Sequence, residues 1–253
     1  NEDYLRILRF FRFNAFYGNE NLKLSNNSIK ACAKNKNKIK KLSSERIHSE
    51  FFKILNSENP YFVINIMNKI GILDILFEKK VETKFFKKLL SIETKNSLTM
   101  SEILRFVSLA PNTKKNHLSD LKMFNFSKKD KKKLFLLTNQ EFKINNKLKK
   151  NDIKRILYSV DKQLLVDFAV LSWVLSINNT LNKEWMSILG QISKLKSPIF
   201  PLKANDLLNF GLKEGPIIGE ILTQIEQDWI DSNFELKKEE LLLKSKALIA
   251  RKS

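Results

Sequence analysis

Apolar positions recur at three- and four-residue spacing along almost the whole chain, and strict alternation is rare, which predicts helices throughout. The apolar run from Tyr4 to Tyr17 stops at Gly18, as a helix with a C-terminal glycine does. Pro60 opens the run YFVINIMNKI, which Gly71 closes, matching the preference for Pro at the start and Gly past the end. Thr99 and Glu102 have capping-box spacing ahead of Ile103, Leu104, Phe106 and Val107. Ser127 with Asp130 marks another start, before Leu134–Leu137. Further helices are predicted near 152–159, 161–178, 181–195, 216–231 and 237–250. There is no strand pair, no Asn-Gly hairpin turn and no repeat with a period of roughly 20–50 residues. The expected fold is all-α, an elongated multi-helix array. Its breaks fall at the Asn59-Pro60 turn, in the lysine-rich stretch Ser127–Lys154 that divides the middle of the chain, and in 196–205 around Pro198 and Pro201, and it is read as 1–56, 57–195 and 196–253.

Composition narrows the function classes. The 253 residues suit about one or two domains, and 43% apolar content is enough for a substantial core. A single cysteine, Cys32, and two histidines, His48 and His117, exclude a disulfide scaffold and a Cys/His zinc cluster. Cys32 is expected to pack as a small apolar group, and the histidines read as ordinary surface or helix residues. The lone thiol and the lack of a secretory leader point to the cytoplasm. The most apolar segment, Leu164 to Ile177, has 14 residues and carries Asp167. It is too short for a bilayer, which needs about 20, and reads as a buried helix, so no membrane partner is expected.

The 46 Lys+Arg against 27 Asp+Glu leave a net charge of +19, which suggests a polyanionic partner such as nucleic acid. Arg occurs only seven times, however, and Asn, Ile and Phe are abundant. An AT-rich genome produces the same bias, and phosphate sites lean more on arginine, whose fork matches phosphate geometry. Lysine blocks such as KKDKKK (128–133) and KNKNKIKK (34–41) are expected to be solvated helix faces. The Lys-flanked aromatics Phe51, Phe52, Phe85 and Phe86 have helical spacing and are expected in the core rather than as stacking platforms for RNA.

The first line of the sequence, NEDYLRILRFFRFNAFYG, carries the candidate chemistry. At about 100° per residue, Asp3 and Arg6 lie about 60° apart and one turn from each other. Glu2 falls between Arg6 and Arg9 on that side, while Tyr4, Leu5, Leu8, Phe11 and Ala15 form a broad packing face. One reading is a helix with ordinary i,i+3 and i,i+4 ion pairs. The other starts from how little of so apolar a helix should stay exposed, and from the cost of burying unpaired charge. A carboxylate acceptor and a guanidinium fork one turn apart can hydrogen-bond the amino-plus-ring-nitrogen edge shared by cytosine and adenine.

Glu2-Asp3-Tyr4-Leu5-Arg6 matches the EDxxR motif of class II tRNA nucleotidyltransferases (CCA-adding enzymes) and the related bacterial poly(A) polymerases. The run on through Arg9, Arg12-Phe13 and Gly18 resembles that family's neck helix. Ser44-Glu45-Arg46-Ile47 followed by Glu50 and Leu55 is similar to its S-x-ERI-x-x-E segment, and 200–230 resembles its G-x-DL…G…GPxxGxxL…W tail. Ala204-Asn205 stands before Asp206 where a Gly is usual. The resemblance implies that 1–56 is a neck bearing the base-template helix, 57–195 a helical body that binds RNA, and 196–253 a tail that binds tRNA. It further implies that Asp3 and Arg6 select CTP and then ATP, with Glu2 holding Arg6. Arg9 either secures the helix face or approaches phosphate. For Glu45, Arg46 and Glu50 the implied role is architectural, tying the neck helices together. Gly215-Pro216 ahead of Gly219 offers a helix N-terminus to a tRNA phosphate, or else is a Pro-at-N1 start with Gly219 allowing close helix packing.

The family's catalytic head carries a Gly-Gly…Arg-Asp turn and an Asp-x-Asp pair that hold Mg2+, and this chain has neither Gly-Gly nor Asp-x-Asp. Metal ligands are therefore expected in a head domain, supplied from upstream sequence or as a second chain, and these 253 residues alone are expected to be inactive. The expected function is that of the C-terminal part of a CCA-adding enzyme, binding tRNA and choosing CTP or ATP. A poly(A) polymerase-like tailing protein and a non-catalytic helical RNA-binding fragment are the alternatives.

Overall fold

A computed structural model describes residues 2–18, 24–111, 118, 120–142, 144–210 and 215–252, without the side chains of residues 2, 3, 251 and 252. Fourteen α-helices and one 3₁₀ turn, Lys36–Lys41, account for the regular structure of the described residues, with no strand among them. The all-α expectation holds. The chain divides into two compact units, one of 1–146 with 166–186 and the other of 147–165 with 187–253.

The first unit begins with α1 (Glu2–Tyr17), α2 (Asn26–Asn35) and α3 (Ser44–Leu55), followed by α4 (Tyr61–Lys69) and α5 (Ile72–Leu76). It continues through α6 (Lys84–Lys95), α7 (Glu102–Ser108) and α8 (Lys128–Thr138). Leu5, Leu8, Phe11 and Ala15 of α1 are buried at three- and four-residue spacing, and α1 packs chiefly along α3. The centre of the core is aromatic. Phe51 and Phe52 of α3 meet Phe77, Phe106, Phe124 and Phe126, with Phe77 and Phe106 stacked at 4.8 Å and Phe106 and Phe124 edge-on at 4.9 Å. Each fully buried phenylalanine contributes about 1.5–3 kcal/mol. Phe51, Phe52 and Phe86 are core as expected, whereas Phe85 is half-exposed under the ammonium of Lys84.

His48 is a helix residue of α3 and is half-buried. Its ring stacks on Phe52 at 4.2 Å and meets Phe126 edge-on, and burial lowers its pKa against the opposing pull of Glu102 and Asp130. His117 lies outside the described residues. Cys32 is buried, and burial pushes its thiol up.

Local signals resolve in physical terms. Gly18 donates its N–H to Asn14 O at 3.0 Å, and a Cβ there would lie 2.3 Å from that oxygen, so only glycine fits. Gly71 has φ +77°, the left-handed conformation that ends α4. The Ile70 carbonyl beside it accepts from Lys36 Nζ at 2.8 Å, so one lysine of the 34–41 block caps a helix, and Ile39 in the same block is fully buried. Ser127 caps α8 by accepting from Asp130 N–H at 3.1 Å, and the 128–133 lysines are largely solvated.

The cap of α7 is Ser101 rather than Thr99. Ser101 Oγ accepts from Leu104 N–H at 3.3 Å and donates to the buried carboxylate of Asp167 at 2.9 Å. Asp167 lies in α10 (Lys162–Leu175), which spans the apolar stretch and is mostly buried. No helix among the described residues is long and apolar enough to cross a membrane.

The second unit is built on α9 (Lys150–Ser159), α12 (Ala204–Leu208), α13 (Pro216–Asp231) and α14 (Lys238–Lys252), while α10 and α11 (Lys183–Lys194) contribute to both units. Its core joins Leu207, Ile218, Ile221, Ile225, Trp229 and Leu241, with Tyr158 edge-on to Trp229 at 5.6 Å. Tyr158 also donates to Glu226, and burial together with that carboxylate raises its pKa to about 12.

Candidate nucleic-acid interface

The candidate site is built on α1. Because α1 is continuous from Glu2, Asp3 and Arg6 stand one helical turn apart on its backbone. The side chains of Glu2 and Asp3 fall outside the described residues. Arg6 and Arg9 are both exposed, and Arg12 is half-buried. The expectation that so apolar a helix would leave little circumference exposed is therefore corrected. One face is fully packed, and the opposite face stays open along the helix, including Phe13, Phe16 and Tyr17.

Two grooves flank this open face. Between α1 and α2, a groove of about 440 Å³ is lined by Tyr4, Arg6, Ile7 and Phe10 on one side and Ser28 and Cys32 on the other. That volume lies in the range of roughly 300–1,000 Å³ common for small-molecule sites. The Lys38 ammonium sits over the Tyr4 ring, 5.0 Å from its centre. The combination of apolar walls, one guanidinium and a neighbouring ammonium suits a flat heterocycle joined to an anion.

Between α1 and α3, a second groove of about 280 Å³ is lined by Leu5, Arg9, Glu45, Arg46, Ser49 and Glu50. Glu50 is buried and accepts from Arg12 Nη1 at 3.1 Å, joining α3 to α1. Glu45 is exposed and accepts from Asn125 Nδ2 at 3.3 Å, and Arg46 is exposed. Arg6 and Arg9, three residues apart, thus serve different grooves.

In the second unit, Gly215 precedes Pro216 at the first turn of α13 with extended backbone, and both are exposed. Gly219 is exposed, and a Cβ built there meets no described atom within 4 Å. Close helix packing at Gly219 is accordingly corrected, because no helix among the described residues approaches it. Asp206, in the tail motif, accepts from Lys203 N–H at 2.7 Å and pairs with Lys238 at 2.6 Å. Lys238 and then the Lys203 amide hold its carboxyl below the usual range.

Arg105 is the polar residue that sequence spacing does not reveal. It is buried, with Nε and Nη2 donating to Glu93 Oε2 at 2.9 and 2.8 Å. Its Nη1 donates to the carbonyls of Leu55 and of Ser57, the latter at 3.2 Å. It fastens the C-terminal end of α3, behind the site, to α6. Among the described residues no group of three or more His, Cys, Asp or Glu converges as a metal site.

The fold and these grooves define an all-helical protein with a basic, nucleotide-sized groove along its N-terminal helix. Residues 21–83 match a family described as "Probable RNA and SrmB- binding site of polymerase A". The chain is 24% identical over 246 residues to "CCA tRNA nucleotidyltransferase 1, mitochondrial" of Mus musculus, covering 95% of this chain and 54% of that protein. It is 27% identical over 255 residues to "CCA-adding enzyme" of Staphylococcus haemolyticus (strain JCSC1435), covering 95% and 60%. The chain therefore spans a little over half the length of these relatives. Two solved structures share its fold at 15% identity over 98% of the chain. "The complex structure of CCA-adding enzyme with ATP" has a TM-score of 0.59 and is covered over 61% of its length. "Thermotoga maritima CCA-adding enzyme complexed with tRNA_CCA" has a TM-score of 0.58 and is covered over 62%. The chain is thus similar over nearly its whole length to part of CCA-adding enzymes, and over 21–83 to an RNA-binding segment of polymerase A.

Proposed function

We propose that this chain is the base-selecting and tRNA-gripping part of a CCA-adding tRNA nucleotidyltransferase, working with a catalytic head supplied upstream or by a second chain. The observation that carries the reading is the groove beside α1, where exposed Arg6 stands one turn from Asp3 between aromatic and apolar walls. In this reading Asp3 accepts from the exocyclic amino group of CTP or ATP while Arg6 donates to the adjacent ring nitrogen. Glu2 orients Arg6. The Arg12–Glu50 pair holds α1 on α3 and so fixes the angle of the template. The body and the tail, including the open start of α13 at Gly215, grip the tRNA by shape and phosphate charge. The described carboxylates do not converge in a way that fits Mg2+, so the metal and the transfer step are assigned to the head. The chain alone is expected to be inactive. A cytoplasmic setting suits the lone buried thiol.

The test is Asp3→Ala in the enzyme complete with its head. The variant should lose discrimination of CTP and ATP from UTP and GTP while tRNA affinity is kept. A collapse of tRNA affinity with selectivity intact would refute the assignment. A second reading, a poly(A) polymerase-like protein, is favoured by the family description matched over 21–83. Product length separates them: three additions needing CTP for the first, a long ATP-derived tail for the second.

A further inference from the structure

The open face of α1 does not end at its arginines. Phe13, Phe16 and Tyr17 are 51%, 53% and 79% exposed, three large aromatics in the last turn and a half of one helix. Solvent-facing aromatics clustered this way mark a contact surface rather than scattered surface apolarity. Their arrangement is ordered. The Phe13 and Tyr17 rings lie 6.2 Å apart and within 23° of parallel, Phe16 lies 6.5 Å from Tyr17, and the Arg12 guanidinium sits 4.8 Å from the centre of the Phe13 ring. The cluster continues the stripe begun by Arg6 and Arg9, so one exposed face reads Arg, Arg, Phe, Phe, Tyr from the N-terminal end.

We propose that Phe13, Phe16 and Tyr17 are a stacking platform for the unpaired 3′ end of an RNA, with Arg9 as its phosphate contact. This rests on the RNA-binding reading above and deepens it by naming where the single strand lies. Charge complementarity selects the occupant. Exposed Arg6 and Arg9 on the face that carries the rings, in a chain of net charge +19, favour an anionic occupant, and a single-stranded nucleic acid presents a flat base and an anion at each step. Base-on-aromatic stacking with neighbouring cations is the usual chemistry of such strands. The spacing agrees. From Arg6 to Phe13 is seven residues, about 10 Å of helix axis, and a stacked strand advances about 3.4 Å per nucleotide. The first ring therefore lies about three nucleotides behind a base held at Arg6.

The experiment compares two hairpin RNAs, one blunt and one with a four-nucleotide unpaired 3′ extension, for binding to the full chain by fluorescence anisotropy across a salt series. The extension should tighten binding. Phe16→Ala and Tyr17→Ala should each remove roughly tenfold of that gain, leaving blunt-hairpin affinity and the salt slope unchanged. Arg9→Gln should instead lower the salt slope by about one. Tyr17→Trp should keep the gain and show indole fluorescence quenched by the extended RNA alone. If the extension tightens binding equally in the alanine variants, the platform is refuted and the RNA-binding reading stands. Equal loss for both hairpins also overturns the platform, since the rings would then act through protein contacts. If neither hairpin binds the unmodified chain, the platform and the reading fall together.

Discussion

Replacing Arg105 by methionine tests how the site is supported. The substitution keeps an unbranched side chain but removes the guanidinium. Arg105 and Glu93 are 3% and 6% exposed, so solvent screens their pairing little. Leaving one partner of such a pair buried and uncompensated costs about 3–5 kcal/mol. The Leu55 and Ser57 carbonyls lose their donor as well, at about 1 kcal/mol each. The total, about 5 kcal/mol or more, is comparable to the whole stability of a small unit. Urea unfolding followed by tryptophan fluorescence measures it. Trp229→Phe in both proteins restricts the signal to Trp173 and Trp185, which lie in the first unit. The pH dependence has a definite sign. Burial raises the Glu93 pKa and Arg105 pulls it back down, so without Arg105 the carboxyl is raised further. A raised folded-state pKa stabilises below the unfolded value and loses that contribution as pH rises through the folded value. The deficit of Arg105→Met should therefore shrink as pH falls from 7 toward 5. Arg105→Met with Glu93→Leu should recover much of the loss, because an apolar pair replaces the charges. A single variant within 1 kcal/mol of the parent, or a deficit that grows on acidification, would refute the argument.

Two further substitutions probe features that the sequence placed differently. Ser101→Ala removes the cap of α7 and one hydrogen bond to the buried Asp167 carboxylate, and should cost about 1–2 kcal/mol in the same assay; Thr99→Ala should cost far less. Gly219→Ala places a Cβ in open space within α13 and should stabilise the second unit by about 0.5–1 kcal/mol, read from Trp229 fluorescence. Destabilisation there would mean that a helix does pack at Gly219.

The sequence and the structure part where contacts are long-range. Helices and stops are legible because periodicity, Pro60, Gly71 and Ser127 act within a few residues of themselves. Ser101 outcompetes Thr99 as a cap because its hydroxyl also meets Asp167, 66 residues away. Arg105 is 12 residues from Glu93 and about 50 from Leu55 and Ser57, so no local spacing announces it. At the candidate site the packing face of α1 is readable from its wheel, since Leu5, Leu8, Phe11 and Ala15 are all buried. The grooves are not readable, because α2 and α3 supply their other walls. Nor is the exposure of Phe13, Phe16 and Tyr17, since a phenylalanine is assigned to the core by default and only the missing neighbour decides otherwise.

The allocation of arginine bears on the question raised by the composition, whether the charge is selected or drifted. Lysine outnumbers arginine many times over, and most of the 128–133 lysines extend into solvent. Such charges set up a broad field that attracts any polyanion and weakens with salt. Six of the seven arginines are placed differently. Arg12 and Arg105 each hold a buried carboxylate, Arg6, Arg9 and Arg46 line the two grooves of α1, and Arg155 bonds Asn233 across the second unit. Where codon bias favours lysine, an arginine retained at a groove or a buried carboxylate is one whose planar fork lysine cannot replace. Lysine thus supplies attraction that a neutral drift could also supply, and arginine supplies the geometry. The expectation that follows is specific to side-chain shape. Arg6→Lys in the complete enzyme keeps the charge and the salt dependence of RNA binding, and should still lose discrimination among nucleotides, because an ammonium cannot present two parallel donors to a base edge. Selectivity retained in Arg6→Lys would mean that charge alone matters at that position, and the template reading of α1 would fail with it.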